Sequence, residues 1–123
     1  MRAVRLLAAL LLLAPAGCAR ADAFTVEMSG RLRFEPGTLS VPVGSRVVWM
    51  GRSSIPHTST ADPDLASDEQ HVRLPQGAEP WDSGEVGDGQ AWSRIFTQPG
   101  TYLYFCQRHE ADGMLGIIEV TSD

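Results

Sequence analysis

The stretch Thr101-Tyr-Leu-Tyr-Phe-Cys106-Gln-Arg-His109-Glu-Ala-Asp-Gly-Met114-Leu-Gly-Ile-Ile-Glu-Val120 leaves this chain few ways to fold. An alternating strand from Tyr102 ends on a thiol at Cys106. His109 follows three residues later and Met114 five beyond that, where a second apolar strand begins. Two strands joined by so short a loop lie side by side, and their loop carries a thiolate, an imidazole and a thioether. That donor set suits copper when one further imidazole joins it, and His57 is the candidate, about fifty residues upstream. The site then exists only once distant parts of the chain have packed together.

The rest of the chain reads as short strands between turns. Phe24 to Met28, Arg31 to Phe34, Leu39 to Val43, Arg46 to Met50 and Ala91 to Phe96 carry apolar or alternating residues. Ser29-Gly30, Glu35-Pro-Gly-Thr38, Gly44-Ser45 and Gln98-Pro-Gly100 mark turns between them. Seven or eight strands at this spacing predict an all-β, Greek-key, two-sheet sandwich over residues 22–123. Between about 61 and 89 prolines and glycines interrupt the pattern, and eight acids face only Arg73. This acidic loop is expected to be solvated or to serve as a docking surface. Within it, Asp62-Pro63 predicts a short helix running to about Val72.

Residues 1–21 read as a secretory signal: Arg2 and Arg5, an apolar run from Leu6 to Ala14, then small residues. Ala19-Arg20-Ala21 offers cleavage before Asp22, whereas Leu13-Ala-Pro-Ala-Gly-Cys18 offers a lipoprotein box ending at Cys18. Either outcome exports the protein to the periplasmic or cell-surface side, the second with a membrane tether. Either also leaves Cys106 without a disulfide partner, and a metal bond protects such a thiol. Beyond residue 21 there are seven arginines, no lysine and fifteen acids, a net charge of −8. That balance argues against nucleic acid and for a protein partner with a basic docking face.

With these pieces in place, the chain resembles the blue copper proteins, or cupredoxins, of the plastocyanin, amicyanin and halocyanin group. The resemblance rests on Phe34-x-Pro36, Leu39-x-Val41, Gly44-x-x-Val47-x-Trp49, Pro56-His57 and Asp82-Ser-Gly84. It continues through Phe96-x-x-Pro99-Gly-Thr-Tyr102-x-Tyr104-x-Cys106-x-x-His109, Gly113-Met114-x-Gly116 and Val120. It implies one copper ion per chain, cycling between Cu(I) and Cu(II), held by His57, Cys106, His109 and Met114. It also implies a monomer that shuttles single electrons between a donor and an acceptor, such as a cytochrome or a copper or haem oxidoreductase. The edge of His109 would be the electron port, with Phe105 on the opposite flank of its strand.

Four positions depart from the group's usual pattern. Phe105 stands where plastocyanins commonly carry a tyrosine used in partner docking. Thr58 and Gly51 stand where asparagine is frequent, and Arg108 replaces a proline, bringing a positive charge expected to raise the reduction potential. The Thr58 backbone N–H is expected to donate to the Cys106 sulfur. Four protein ligands leave no open position for substrate, so catalysis at the metal is not expected. Copper storage, delivery or resistance is the alternative function, and zinc is an alternative ion for the same donors. Trp49, Trp81 and Trp92 read as core or loop anchors, while His71 and Glu110 read as solvent-facing.

Overall fold

The computed structural model describes residues 21–123; the expected signal, up to residue 20, and Cys18 lie outside them. Among the described residues nine strands form two sheets. The first sheet contains β1 (Ala23–Ser29), β2 (Arg33–Glu35), β4 (Arg46–Arg52) and β7 (Ala91–Ile95), in the order β2-β1-β4-β7. The second contains β3 (Thr38–Pro42), β5 (Thr60–Ala61), β6 (Trp81–Asp82), β8 (Gly100–Phe105) and β9 (Leu115–Thr121), in the order β3-β9-β8-β5-β6. The chain crosses from one sheet to the other after β2, β3, β4, β6 and β7; β1–β4 and β3–β9 are parallel and the other pairs antiparallel. The predicted sandwich is present. The ninth strand arises because β5 and β6 are only two residues each, too short to show a period.

Alternation decides which residues face inward. In β4, Val47, Trp49 and Gly51 are buried between half-exposed neighbours, and in β9 Gly116, Ile118 and Val120 are. Trp49 is the hub of the core, its ring 5.4–6.3 Å from those of Trp81, Trp92, Phe96 and Tyr104. Trp81 lies on the other sheet, its indole N–H donating to Ser59 Oγ at 3.0 Å and the Arg94 guanidinium stacked over its ring. Three of the Trp49 contacts are tilted and the one with Tyr104 is edge-to-face, at 83°, an arrangement that adds to simple burial. Tyr104 is completely buried, and burial pushes its hydroxyl pKa up, keeping it protonated.

The sandwich has two distinct ends. At one, β1 and β4 begin together, Ala23 beside Arg46, with the 43–45 turn bonded to Thr121 and Phe96. At the other, β4 delivers the chain toward His57 while β8 and β9 meet at Phe105 and Leu115, bracketing the loop that carries His109.

The predicted helix over 62–72 is instead two single turns, Pro63–Leu65 and Glu69–His71, capped by the side chains of Asp62 and Asp68. A continuous helix would take up the amides of Ser67 and Asp68 internally. Here both donate to Glu110, at 2.9 and 3.1 Å, so the backbone turns away between the two caps. Nor is the 61–89 segment a detached loop. Val72, Leu74 and Ala78 pack on the core, Trp81 is buried, and Arg73 bridges to Leu103. Most of its acids stay exposed.

Candidate metal centre

His57, Cys106 and His109 come together at the end of the sandwich where β8 stops, with one donor atom from each within 4.8 Å of the others. Each arrives by a different route. Cys106 is the first residue after β8 and is fully buried. His57 is also fully buried and is held on both sides by a bridge to Val86, N–H to carbonyl in each direction at 3.2 and 2.8 Å. His109 sits between two short turns of the 107–112 loop, at the one residue there with non-helical backbone angles. It is partly exposed, whereas His57, Cys106 and Met114 are buried, so its ring is the edge of the site open to solvent.

The sulfur of Cys106 lies 3.9 Å from Nδ1 of His57 and 3.5 Å from Nδ1 of His109, and it accepts the Thr58 backbone N–H at 3.3 Å. That bond stabilises negative charge on sulfur. Met114 is buried beneath the loop, its carbonyl accepting from Cys106 N–H and its own N–H donating to the His109 carbonyl, both at 3.1 Å. The preceding Gly113 adopts a left-handed φ of 77°, a conformation glycine takes without penalty, and so returns the chain to β9 with Met114 directed inward. His57, Cys106, His109 and Met114 have the arrangement of a type 1 copper site.

A hydrogen-bond constraint sets the tautomer of His57. Ser53 Oγ donates its one hydrogen to the Ile55 carbonyl at 2.9 Å, so toward His57 Nε2, 3.2 Å away, it acts as acceptor. Nε2 therefore carries the proton and Nδ1 presents a lone pair toward the sulfur. Such outer partners orient a ligating imidazole. Burial, and then the neighbouring His109, lower the His57 pKa against a smaller upward pull from the Ser29 carbonyl, which keeps the ring neutral and able to ligate. Ser53 was not singled out in the sequence. The only hint was its spacing, four residues before the histidine.

Thr58 does more than its backbone implied. Its Oγ1 accepts the Gln107 N–H at 2.9 Å and bonds Thr60 Oγ1 at 2.8 Å, tying the His57 loop to the residue after Cys106. A Thr58→Val variant keeps the backbone donation to sulfur but orphans the Gln107 amide. It is expected to lose about 1–3 kcal/mol in denaturant unfolding while leaving the sulfur-to-metal absorption in place.

Two expectations are corrected. Glu110 is buried rather than solvated, accepting from Ser67 N–H, Asp68 N–H and His71 Nδ1, the last at 2.7 Å. Burial alone would push its pKa up, but these donors outweigh it and hold the carboxyl below its ordinary value. His71 is accordingly only partly exposed and engaged with Glu110. A third residue changes meaning: Arg108 does not present a free charge, since its guanidinium pairs with Glu85 on the surface. Phe105 is fully buried, and the three tryptophans take the packing places expected of them.

Known proteins share this arrangement. Residues 21–121 match the family model of copper binding proteins of the plastocyanin/azurin family. Over 94 residues, 75% of this chain and 90% of the relative, the sequence is 33% identical to a plastocyanin from Scenedesmus fuscus. A variant of amicyanin in its Cu(I) form superposes with a TM-score of 0.63 at 27% identity, over 81% of this chain and 83% of that one. A copper-containing nitrite reductase from Thermus scotoductus superposes equally well at 30% identity, but only 22% of its chain takes part.

Proposed function

The chain belongs to the plastocyanin/azurin family of copper-binding proteins, and from that premise we propose that it is an exported carrier of single electrons between redox proteins. Copper, bound by His57, Cys106, His109 and Met114, supplies the Cu(I)/Cu(II) couple. The observation that carries this reading is the Cys106 sulfur, buried, facing the Nδ1 atoms of two histidines and fixed by a backbone amide. A carrier works fastest when neither oxidation state moves the ligands. Here strands, the Val86 bridge, Ser53 and Thr58 hold those ligands in place through the protein's own contacts.

Burial of the thiol and of His57 favours a carrier over a storage or delivery protein, which must release its ion. An enzymatic reading needs further metal ligands. Among the described residues His57, Cys106 and His109 make the single metal-competent group of three, and His71 is tied to Glu110. The basic and apolar pattern of residues 1–21 supports a location outside the cytoplasm, and the acidic surface supports docking of a partly basic partner by a monomer.

The test is to add copper(II) to the exported protein and record visible and paramagnetic-resonance spectra. An intense thiolate-to-copper band with a narrow hyperfine splitting is expected. Stoichiometric copper without that band would shift the reading to storage or delivery.

Pairing of Arg108 with Glu85 also changes the expected charge effect at the electron port. Arg108→Ala leaves the Glu85 carboxylate uncompensated, which stabilises the oxidised ion, so the potential falls in voltammetry. Adding Glu85→Gln to that variant is expected to restore most of the difference. A rise in potential for Arg108→Ala contradicts both the charge argument and the pairing.

A further inference from the structure

The 107–112 loop carries His109. Its first amide, Gln107 N–H, donates to Thr58 Oγ1, but beyond that residue its backbone bonds are all local: His109 N–H to the Cys106 carbonyl, Gly113 N–H to the Glu110 carbonyl and Met114 N–H to the His109 carbonyl. Bonds of that range shape a loop without fixing it to the rest of the molecule. Side chains supply three longer ties. Gln107 reaches Asp82 with its amide, Arg108 pairs with Glu85, and Glu110 reaches the 67–71 segment. The Arg108–Glu85 pair is about half exposed on both sides, and such pairs hold geometry weakly. The Asp82 contact is likewise exposed.

Glu110 differs in kind. It is 6% exposed, immediately follows the ligand His109, and both its carboxylate oxygens are used. Oε1 accepts the Ser67 amide, while Oε2 accepts the Asp68 amide and contacts His71 Nδ1. The 67–71 segment is itself stiff where it meets Glu110, because Asp68 caps the turn that presents His71, its Oδ1 accepting the Gln70 amide at 2.9 Å. Arg73, just beyond, pairs with Leu103 in β8, the strand that leads into Cys106. A continuous path therefore runs from β8 through the 67–73 segment to the residue next to His109.

The structure assigns Glu110 a positioning role: its carboxylate clamps the His109 loop to the 67–71 segment and so fixes the imidazole relative to the Cys106 sulfur. This rests on the copper-carrier reading, in which the distance between those two donors matters. It goes further by naming a residue that touches no metal. Groups bonded directly to a ligand change metal affinity by about 10–100-fold when removed; Glu110 acts one contact further out, through the loop that carries His109, so the lower end of that range is expected.

The experiment compares the parent protein with Glu110→Gln, Glu110→Ala and His71→Ala, with circular dichroism checking the fold. In metal-free protein, Glu110→Ala is expected to speed amide exchange at Ser67, Asp68 and the 109–113 loop about tenfold or more, through local opening. In copper(II)-loaded protein, both Glu110 variants are expected to lose the ion to a chelator about tenfold faster and to broaden the hyperfine lines, Gln less than Ala. His71→Ala should produce a smaller change in the same direction, and adding it to Glu110→Ala should change little more, since the shared contact is already gone.

Unchanged exchange and chelator kinetics in the Glu110 variants, with only a lower melting temperature, would overturn the assignment. So would full additivity of the His71 and Glu110 changes, which would mark a simple effect of charge. A parent that fails to give the thiolate-copper band refutes the carrier reading instead, and the metal-free exchange comparison still decides the clamp.

Discussion

A Cys106→Ala variant is expected to bind copper(II) without any intense visible absorption and to lose its hold on copper(I) almost entirely. The thiolate is the one soft, anionic donor in the site, and two imidazoles with a thioether make a much poorer match to the reduced ion. Removing it also removes the acceptor of the Thr58 amide, which lies in a buried position. Metal-free stability should fall by about 1–3 kcal/mol, far less than the effect on the metal. Absorption titration and denaturant unfolding of the same sample separate the two. A variant that kept the visible band would place the thiolate outside the metal's reach.

The second large effect concerns a residue with no side chain. A Cβ added at Gly51 would lie 2.0 Å from the Gly87 carbonyl oxygen and 2.8 Å from its carbon, both backbone atoms that cannot rotate aside. Gly51 is the inward-facing, buried residue near the end of β4 and is bonded to Gln90 and Gly89. Its close approach brings the 86–90 segment down beside the site, where Val86 forms the bridge that holds His57. Gly51→Ala must push that segment outward, and overpacking of this kind costs about 1–3 kcal/mol or more. The expected result is a marked fall in melting temperature together with weakened copper retention, because the His57 bridge loosens with Val86. A stability loss with unaltered copper retention would show that the bridge does not depend on this contact.

Much of the centre was legible because its donors are rare residue types at spacings set by a single loop. Cys106, His109 and Met114 lie within nine consecutive residues, and of the two other histidines His57 is the one that follows an apolar strand and a proline, whereas His71 stands among acids. The strands were legible for the usual reason, alternation along β1, β4 and β9. What failed did so because its cause lay far away in the chain. Glu110 read as exposed because no local pattern announces that its partners are 39–43 residues earlier. The same bonds explain why an Asp-Pro start did not become a helix through Val72. Strand β5 was missed because Thr60 and Ala61 are both buried, erasing the alternation that marks a strand. The tautomer set by Ser53 needs three-dimensional bond counting, and no spacing rule gives it.

The parallel start of β1 beside Arg46 puts Ala23 at the end of the sandwich away from His109. Any graft made ahead of Asp22, whether an acyl chain in a bilayer or a thiol linker on gold, would therefore hold the molecule upright with its redox edge outermost. The seven residues of β4 set a standoff of at least about 20 Å. Electrons passing between the supporting film and the exposed His109 edge would have to cross the length of the sandwich.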